Sequence, residues 1–97
     1  MLSQASKILT LASTLVALEQ GSSYRDVGRT VRIDRDIRQA RINSWHVEIG
    51  TINGRVTLRG WVYTGDDKRR IGEVAVKDSR LELVDNQITI GKPVVVD

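Results

Sequence analysis

Asn53-Gly54, set between two alternating runs, is the feature that most narrows the fold of this 97-residue chain. Both residues tolerate the positive φ of a type I′ turn, which joins two neighbouring antiparallel strands. Before the pair, Val47 and Ile49 alternate with His46 and Glu48, the pattern of a half-buried strand. After it, Val56, Leu58, Gly60 and Val62 point one way, and Arg55, Thr57, Arg59, Trp61 and Tyr63 the other. Thr64-Gly65-Asp66-Asp67 supplies turn residues and a helix N-cap. From Asp67 to Ser79 the apolar residues Ile71, Val74 and Ala75 fall at helical spacing, which predicts an amphipathic helix. Leu83-Val84 leads into a last strand, in which Ile88 and Ile90 alternate with Gln87 and Thr89. Gly91-Lys92-Pro93 ends it, and Val94–Asp97 reads as a tail.

These landmarks run in a fixed order without a gap. They are Ile42, Val47, Ile49, Asn53-Gly54, Val56, Leu58, Gly60 and Val62, then Val74-Ala75, Leu81, Val84, Asn86, Ile88 and Ile90. In that register the chain resembles a BON domain, a small module of bacterial envelope and stress proteins. The resemblance implies binding to anionic phospholipid surfaces, or assembly with partner proteins, rather than catalysis. It implies a bacterial envelope or periplasmic setting, and one helix before the first strand. The usual opening Asp of that helix is matched by Asp26, and its later apolar positions by Ile33 and Ile37. Arg29 or Thr30 falls where an apolar residue is expected.

Length allows one domain with a modest core. With no Phe and no Cys, that core is aliphatic and carries no disulfide, which fits either redox compartment. The net charge of +3 is not spread evenly. Lys7 and Glu19 cancel in residues 1–23, and acidic and basic residues balance in 42–97. The excess lies in residues 24–41, as Arg25, Arg29, Arg32, Arg35, Arg38 and Arg41 against Asp26, Asp34 and Asp36. A positive field confined to one element suits a polyanionic partner surface. The competing reading is a solvated helix face with Arg–Asp pairs at helical spacing.

Residues 1–20 read as an additional amphipathic helix. Ala5, Ile8, Leu9, Ala12, Leu15, Val16 and Leu18 give an apolar stripe over residues 3–19. Ile8 to Leu18 is too short to span a bilayer. It could serve as a secretory signal core behind Lys7, but no small-x-small cleavage site follows and Glu19-Gln20 is a poor exit. Without a signal the setting is cytoplasmic. As a packed helix, the stripe covers apolar surface within the chain or across a homo-oligomer.

Ser22 or Ser23 can cap the next helix, which begins near Tyr24. Val27 and Val31 share one face of it; Ile33, Ile37 and Ala40 share another. This split permits an alternative, a helix-turn-helix over residues 17–42 in a small DNA-binding regulator. Gly28 would follow Val27, a turn would fall near Arg32–Asp34, and Arg35, Arg38 and Arg41 would meet DNA. Arg32 stands where that turn usually carries Gly, and Ile37 comes one position early.

No catalytic constellation is present. The single His46 has no nucleophile or orienting carboxylate beside it in sequence. Asp66-Asp67 reads as a turn and cap rather than a metal pair, and no glycine-rich phosphate loop occurs. Neither metal nor cofactor is expected. The outer sheet face is the second candidate surface, with Arg55, Arg59, Trp61 and Tyr63 joined by Thr57, His46, Glu48 and Thr89. Aromatics beside Arg can stack bases, rest among lipid headgroups or anchor a protein contact; the helix at 3–19 is expected to cover them. The predicted architecture is α+β: the extra helix (1–20), then α-β-β-α-β over 24–90 with two helices on one face of a three-stranded mixed sheet, then a tail (91–97).

Overall fold

A computed structural model describes residues 21–94; residues 1–20 and 95–97, and with them the expected helix at 3–19, lie outside the described residues. Helix α1 (Tyr24–Gln39) starts at Ser23, the N-cap. The Ser23 hydroxyl accepts the Asp26 N–H at 3.1 Å, and the Asp26 carboxylate accepts the Ser23 N–H at 3.1 Å, a reciprocal capping box. The inward stripe of α1 is Asp26, Thr30, Ile33 and Ile37, spaced four, three and four residues apart. Ile33 and Ile37 are fully buried, whereas Val31 is 43 % exposed. The two apolar faces read from sequence are thus unequal: Ile33 and Ile37 of one enter the core while its Ala40 is exposed, and in the other Val27 is only half-buried and Val31 exposed.

The polar residue at position 30 has a physical reason. Its hydroxyl lies 2.7 Å from that of the buried Thr51 in the facing strand, so the half-buried Thr30 gives the Thr51 hydroxyl its hydrogen-bond partner. Asp26 does more than cap. It is buried, and it also accepts the N–H groups of Asn53 and Gly54, each at 2.9 Å. The helix start is therefore fastened to the hairpin turn. Ser22 completes this end by donating to the Thr51 carbonyl at 2.5 Å.

Strands β1 (Val47–Ile52) and β2 (Arg55–Val62) form the expected antiparallel hairpin, with Val47 facing Gly60 and Ile52 facing Arg55. Asn53 (φ 52°) and Gly54 (φ 78°) take the positive-φ backbone of the turn. Val56, Leu58 and Val62 face the helices and are buried. Helix α2 (Gly65–Lys77) begins two residues before the predicted start, because the Thr64 hydroxyl takes the Asp67 N–H at 3.1 Å and so caps it earlier. Its Ile71 and Ala75 are buried and Val74 is half-buried.

The last strand departs from expectation. It is split into β3 (Val84–Asn86) and β4 (Thr89–Ile90), both parallel to β2 and in one unbroken register. Asn86 causes the break: its carboxamide oxygen accepts the Ile88 N–H at 3.2 Å, an Asx turn inside the strand. Its amide donates to the Lys68 carbonyl on α2 at 3.1 Å. Gly72 makes room, since a Cβ there would lie 2.8 Å from the Asn86 amide nitrogen. Ile88 is buried as expected. Leu81, in a short 3-10 turn (Leu81–Leu83), is 73 % exposed rather than packed, and Ile90 is 58 % exposed.

The molecule is α+β: α1-β1-β2-α2-β3/β4, with β2 central in a mixed sheet and both helices on one face. Ile33, Ile37, Ile42, Val56, Leu58, Val62, Ile71, Ala75 and Ile88 make the wholly aliphatic core.

Candidate functional site

Helix α1 is unbroken through Arg32–Asp34, so the turn that a helix-turn-helix needs there is not made. The reason is the inward stripe. Thr30, Ile33 and Ile37 stay in register with the sheet only if the helix continues.

The six arginines do not behave as one set. Arg25, Arg32, Arg35, Arg38 and Arg41 are exposed, while Arg29 is half-buried and donates to the Ser79 hydroxyl at 2.8 Å, just past α2. Arg38 pairs with Asp34 at 3.1 Å and Arg35 with Asp36 at 3.5 Å. Exposed pairs of this kind are worth about 0.3–0.5 kcal/mol and yield readily to a competing anion. Arg25, Arg32 and Arg41 belong to no ion pair among the described residues.

Arg41 lies just beyond the helix, with φ at 56°. The Arg41 N–H reaches the Arg38 carbonyl at 3.0 Å and the Ile42 N–H reaches that of Ile37 at 3.3 Å. This is a Schellman stop with arginine in the left-handed position that usually goes to glycine. Ile42 and Ile37 both enter the core and hold it shut. An arginine is kept where glycine would be less strained.

Across the two helices, Asp36 of α1 neighbours Asp78, the C-cap of α2. Asp78 Oδ2 is buried and has no hydrogen-bond partner among the described residues. The hydrogen bond from Asp78, followed by Arg35 and Lys77, holds the Asp36 carboxyl below its usual range against the opposing effect of burial. Burial, then the neighbouring Asp36, pushes Asp78 up, and Arg32 and Arg35 only partly offset this. Asp26 contrasts with both. Burial raises it, but the N–H groups of Ser23, Gly54 and Asn53 and the Ser23 side chain outweigh burial and hold it low.

The open sheet face carries the second set of residues. Gly60 organises it. Its φ is +108°, and a Cβ there would fall 2.0 Å from the His46 carbonyl oxygen, so only glycine fits. That close approach lets the Trp61 N–H reach His46 O at 3.2 Å. The His46 ring then stacks on Trp61 at 4.2 Å, and Tyr63 meets Trp61 edge-on at 5.0 Å. Arg55 and Arg59 are exposed on the same face, with Glu48 directly across from Arg59 and Asp85 beside Thr57. This face is therefore aromatic at one end and of mixed charge along its length.

The arginine side of α1 and the aromatic row lie on opposite sides of the sheet. One flat partner cannot contact both.

Sequence reading identified the arginines, the aromatic row and the turn. It missed the Asp26 staple, the Thr30–Thr51 pair and the Asp36–Asp78 pair. The capping-box spacing Ser23 to Asp26 was visible, but which turn the carboxylate would also reach was not. Among the described residues no group of three or more His, Cys, Asp or Glu is placed to hold a metal ion. Nor is any described helix long and apolar enough to cross a membrane. No family model matches the chain, and no curated protein matches it.

Proposed function

We propose that this chain is a non-enzymatic BON-type binding module that docks on the anionic phospholipid surface of a bacterial envelope through the outward side of α1. The carrying observation is the concentration of the net positive charge on the exposed side of α1 and just past its end, where Arg25, Arg32 and Arg41 have no ion-pair partner among the described residues. The α-β-β-α-β order around the Asn53-Gly54 hairpin, with Asn86 and Gly60 in specific structural roles, supports the resemblance.

Magnitude shapes the proposal. Each basic residue at an anionic surface contributes about 1 kcal/mol. Four or five of them give only weak, reversible attachment, roughly millimolar. A single domain therefore needs help, and the opposite face supplies it. His46 and Tyr63, both exposed, flank the half-buried Trp61 in an aromatic row suited to a protein partner or a second copy, and linking several domains multiplies weak contacts into firm attachment. Binding and assembly are then two faces of one role.

The test is co-sedimentation with phosphatidylglycerol and phosphatidylcholine vesicles, beside a gel shift on unrelated duplex DNA. Binding to the anionic vesicles alone, weakening with salt as charges are screened within about 10 Å at 0.1 M, is the expected result. Preference for DNA over anionic vesicles would instead favour the nucleic-acid reading. Indifference to every polyanion would leave only assembly.

A further inference from the structure

We propose that Asn53 is a covalent self-modification site latched by Asp26. While the latch holds, the Asn53 carboxamide survives; when it opens, Asn53 deamidates and α1 no longer refastens to the hairpin turn. This modification is independent of the polyanion reading above.

The reaction belongs to the turn's own residues. Asn53 is the only asparagine of the chain that glycine follows. It is exposed, and a Cβ at Gly54 would meet nothing within 4 Å, so neighbours do not crowd the glycine. Hydroxide removes the Gly54 N–H proton, and the nitrogen attacks Asn53 Cγ. The new C–N bond closes a succinimide ring. The bond from Cγ to the side-chain nitrogen breaks, and that nitrogen takes a proton from water and leaves as ammonia. A water molecule then opens the ring, at Cγ to give aspartate or at the backbone carbonyl to give isoaspartate. The balance is one water consumed and one ammonia released.

The folded chain blocks the first step. The Gly54 N–H donates to Asp26 Oδ1 and the Asn53 N–H to Asp26 Oδ2, each at 2.9 Å. The attacking nitrogen is thus aimed at a buried carboxylate, whereas the Asn53 side chain is exposed. A carboxylate is too weak a base to take an amide proton, and its charge opposes the anion left when hydroxide takes it. Ring closure must turn the Gly54 nitrogen toward Asn53 Cγ, which breaks its bond to Asp26. Asp26 is itself fixed, since its Oδ2 also accepts the Ser23 N–H at 3.1 Å. Local opening of the helix start from the turn is therefore the gate.

Reaction removes the latch for good. Isoaspartate lengthens the backbone of a turn whose loop length sets the strand register. Either product also places a second carboxylate next to buried Asp26.

The experiment ages the full chain in mildly alkaline buffer and follows the amide-to-acid mass change in the tryptic peptide 42–55, which Arg41 and Arg55 delimit. Asn43, followed by Ser44, lies in the same peptide and is the internal reference. In guanidinium chloride Asn53 should react well ahead of Asn43. Folding should slow Asn53 by at least about a hundredfold, the worth of two charge-assisted hydrogen bonds. Folded Asp26→Ala should lose most of that protection. Ile71→Ala, a core truncation on α2, lowers stability but leaves the latch; brought with a little guanidinium to the unfolding free energy of Asp26→Ala, it should stay protected. Asp26→Asn keeps one acceptor oxygen, should react at an intermediate rate, and decides the matter if Asp26→Ala does not fold. Equal rates for Asp26→Ala and Ile71→Ala at matched stability, or for Asp26→Asn and wild type, would overturn the latch. Equal rates for folded and unfolded wild type would do the same. Deamidated wild type, separated by its extra negative charge, should melt below the unreacted protein; an identical melt would overturn the loss of refastening.

Discussion

The inward and outward sides of α1 are made by the same stretch of chain and obey opposite rules. Inward, Asp26, Thr30, Ile33 and Ile37 each have a fixed partner: the hairpin turn, Thr51 and the aliphatic core. Outward, the arginines are exposed, and their Arg38–Asp34 and Arg35–Asp36 pairs are weak and competed by solvent. Substitutions inside should therefore change stability and leave surface chemistry alone; substitutions outside should do the reverse. Arg41 and the Asp36–Asp78 pair sit where the two sides meet.

Ile37→Ala should show the inward rule most strongly. It truncates a fully buried side chain and should lower unfolding free energy by about 4 kcal/mol in denaturant titrations. For a domain with about 5–15 kcal/mol to lose, that is a large fraction. Asp26→Ala comes next, at about 3 kcal/mol, because three backbone N–H groups lose one acceptor. Its pH signature is distinct. Asp26 is held low when folded, so its contribution is present above the ordinary aspartate range and lost as pH falls through the lowered value. Wild type should thus lose stability in acid more steeply than Asp26→Asn, measured by melts across that range.

Smaller effects sharpen the comparison. Thr30→Val should cost about 1 kcal/mol by stranding the Thr51 hydroxyl, and the double change Thr30→Val with Thr51→Val should recover most of it. Non-additivity in this double-mutant cycle is the readout. Arg41→Gly should run the other way. It relieves a left-handed arginine and should stabilise by about 1 kcal/mol while weakening vesicle binding, which would separate fold from function at one residue.

Much of the fold was legible because its signals are local. The Asn53-Gly54 turn, the alternation of Val56, Leu58 and Val62, and the helical spacing of Ile71 and Ala75 each rest on a short-range rule. What stayed hidden depends on groups far apart in the chain. Asp26 reads as a cap from sequence, but its hydrogen bonds to Asn53 and Gly54 exist only once helix and hairpin pack. Thr30 looked like a defect in an apolar stripe until Thr51 stood opposite it. Within α1, Val27 and Val31 were as plausible a buried face as Ile33 and Ile37, since periodicity alone does not say which stripe meets the sheet. The candidate site divides the same way. Arginine clustering is visible as composition, whereas the stranded Asp78 oxygen and the stack of His46 on Trp61 require the tertiary arrangement that Gly60 and the α1–α2 contact create.

The central claim is that the outward side of α1 is the binding surface and is not needed for folding. Its most direct test compares wild type with the double reversal Arg25→Glu and Arg41→Glu in phosphatidylglycerol vesicle co-sedimentation, with a melt on each protein. The account predicts that unfolding free energy stays within about 0.5 kcal/mol of wild type, as for surface changes away from structural contacts, while vesicle binding is lost. Unchanged vesicle binding, or loss of binding accompanied by unfolding, would contradict it.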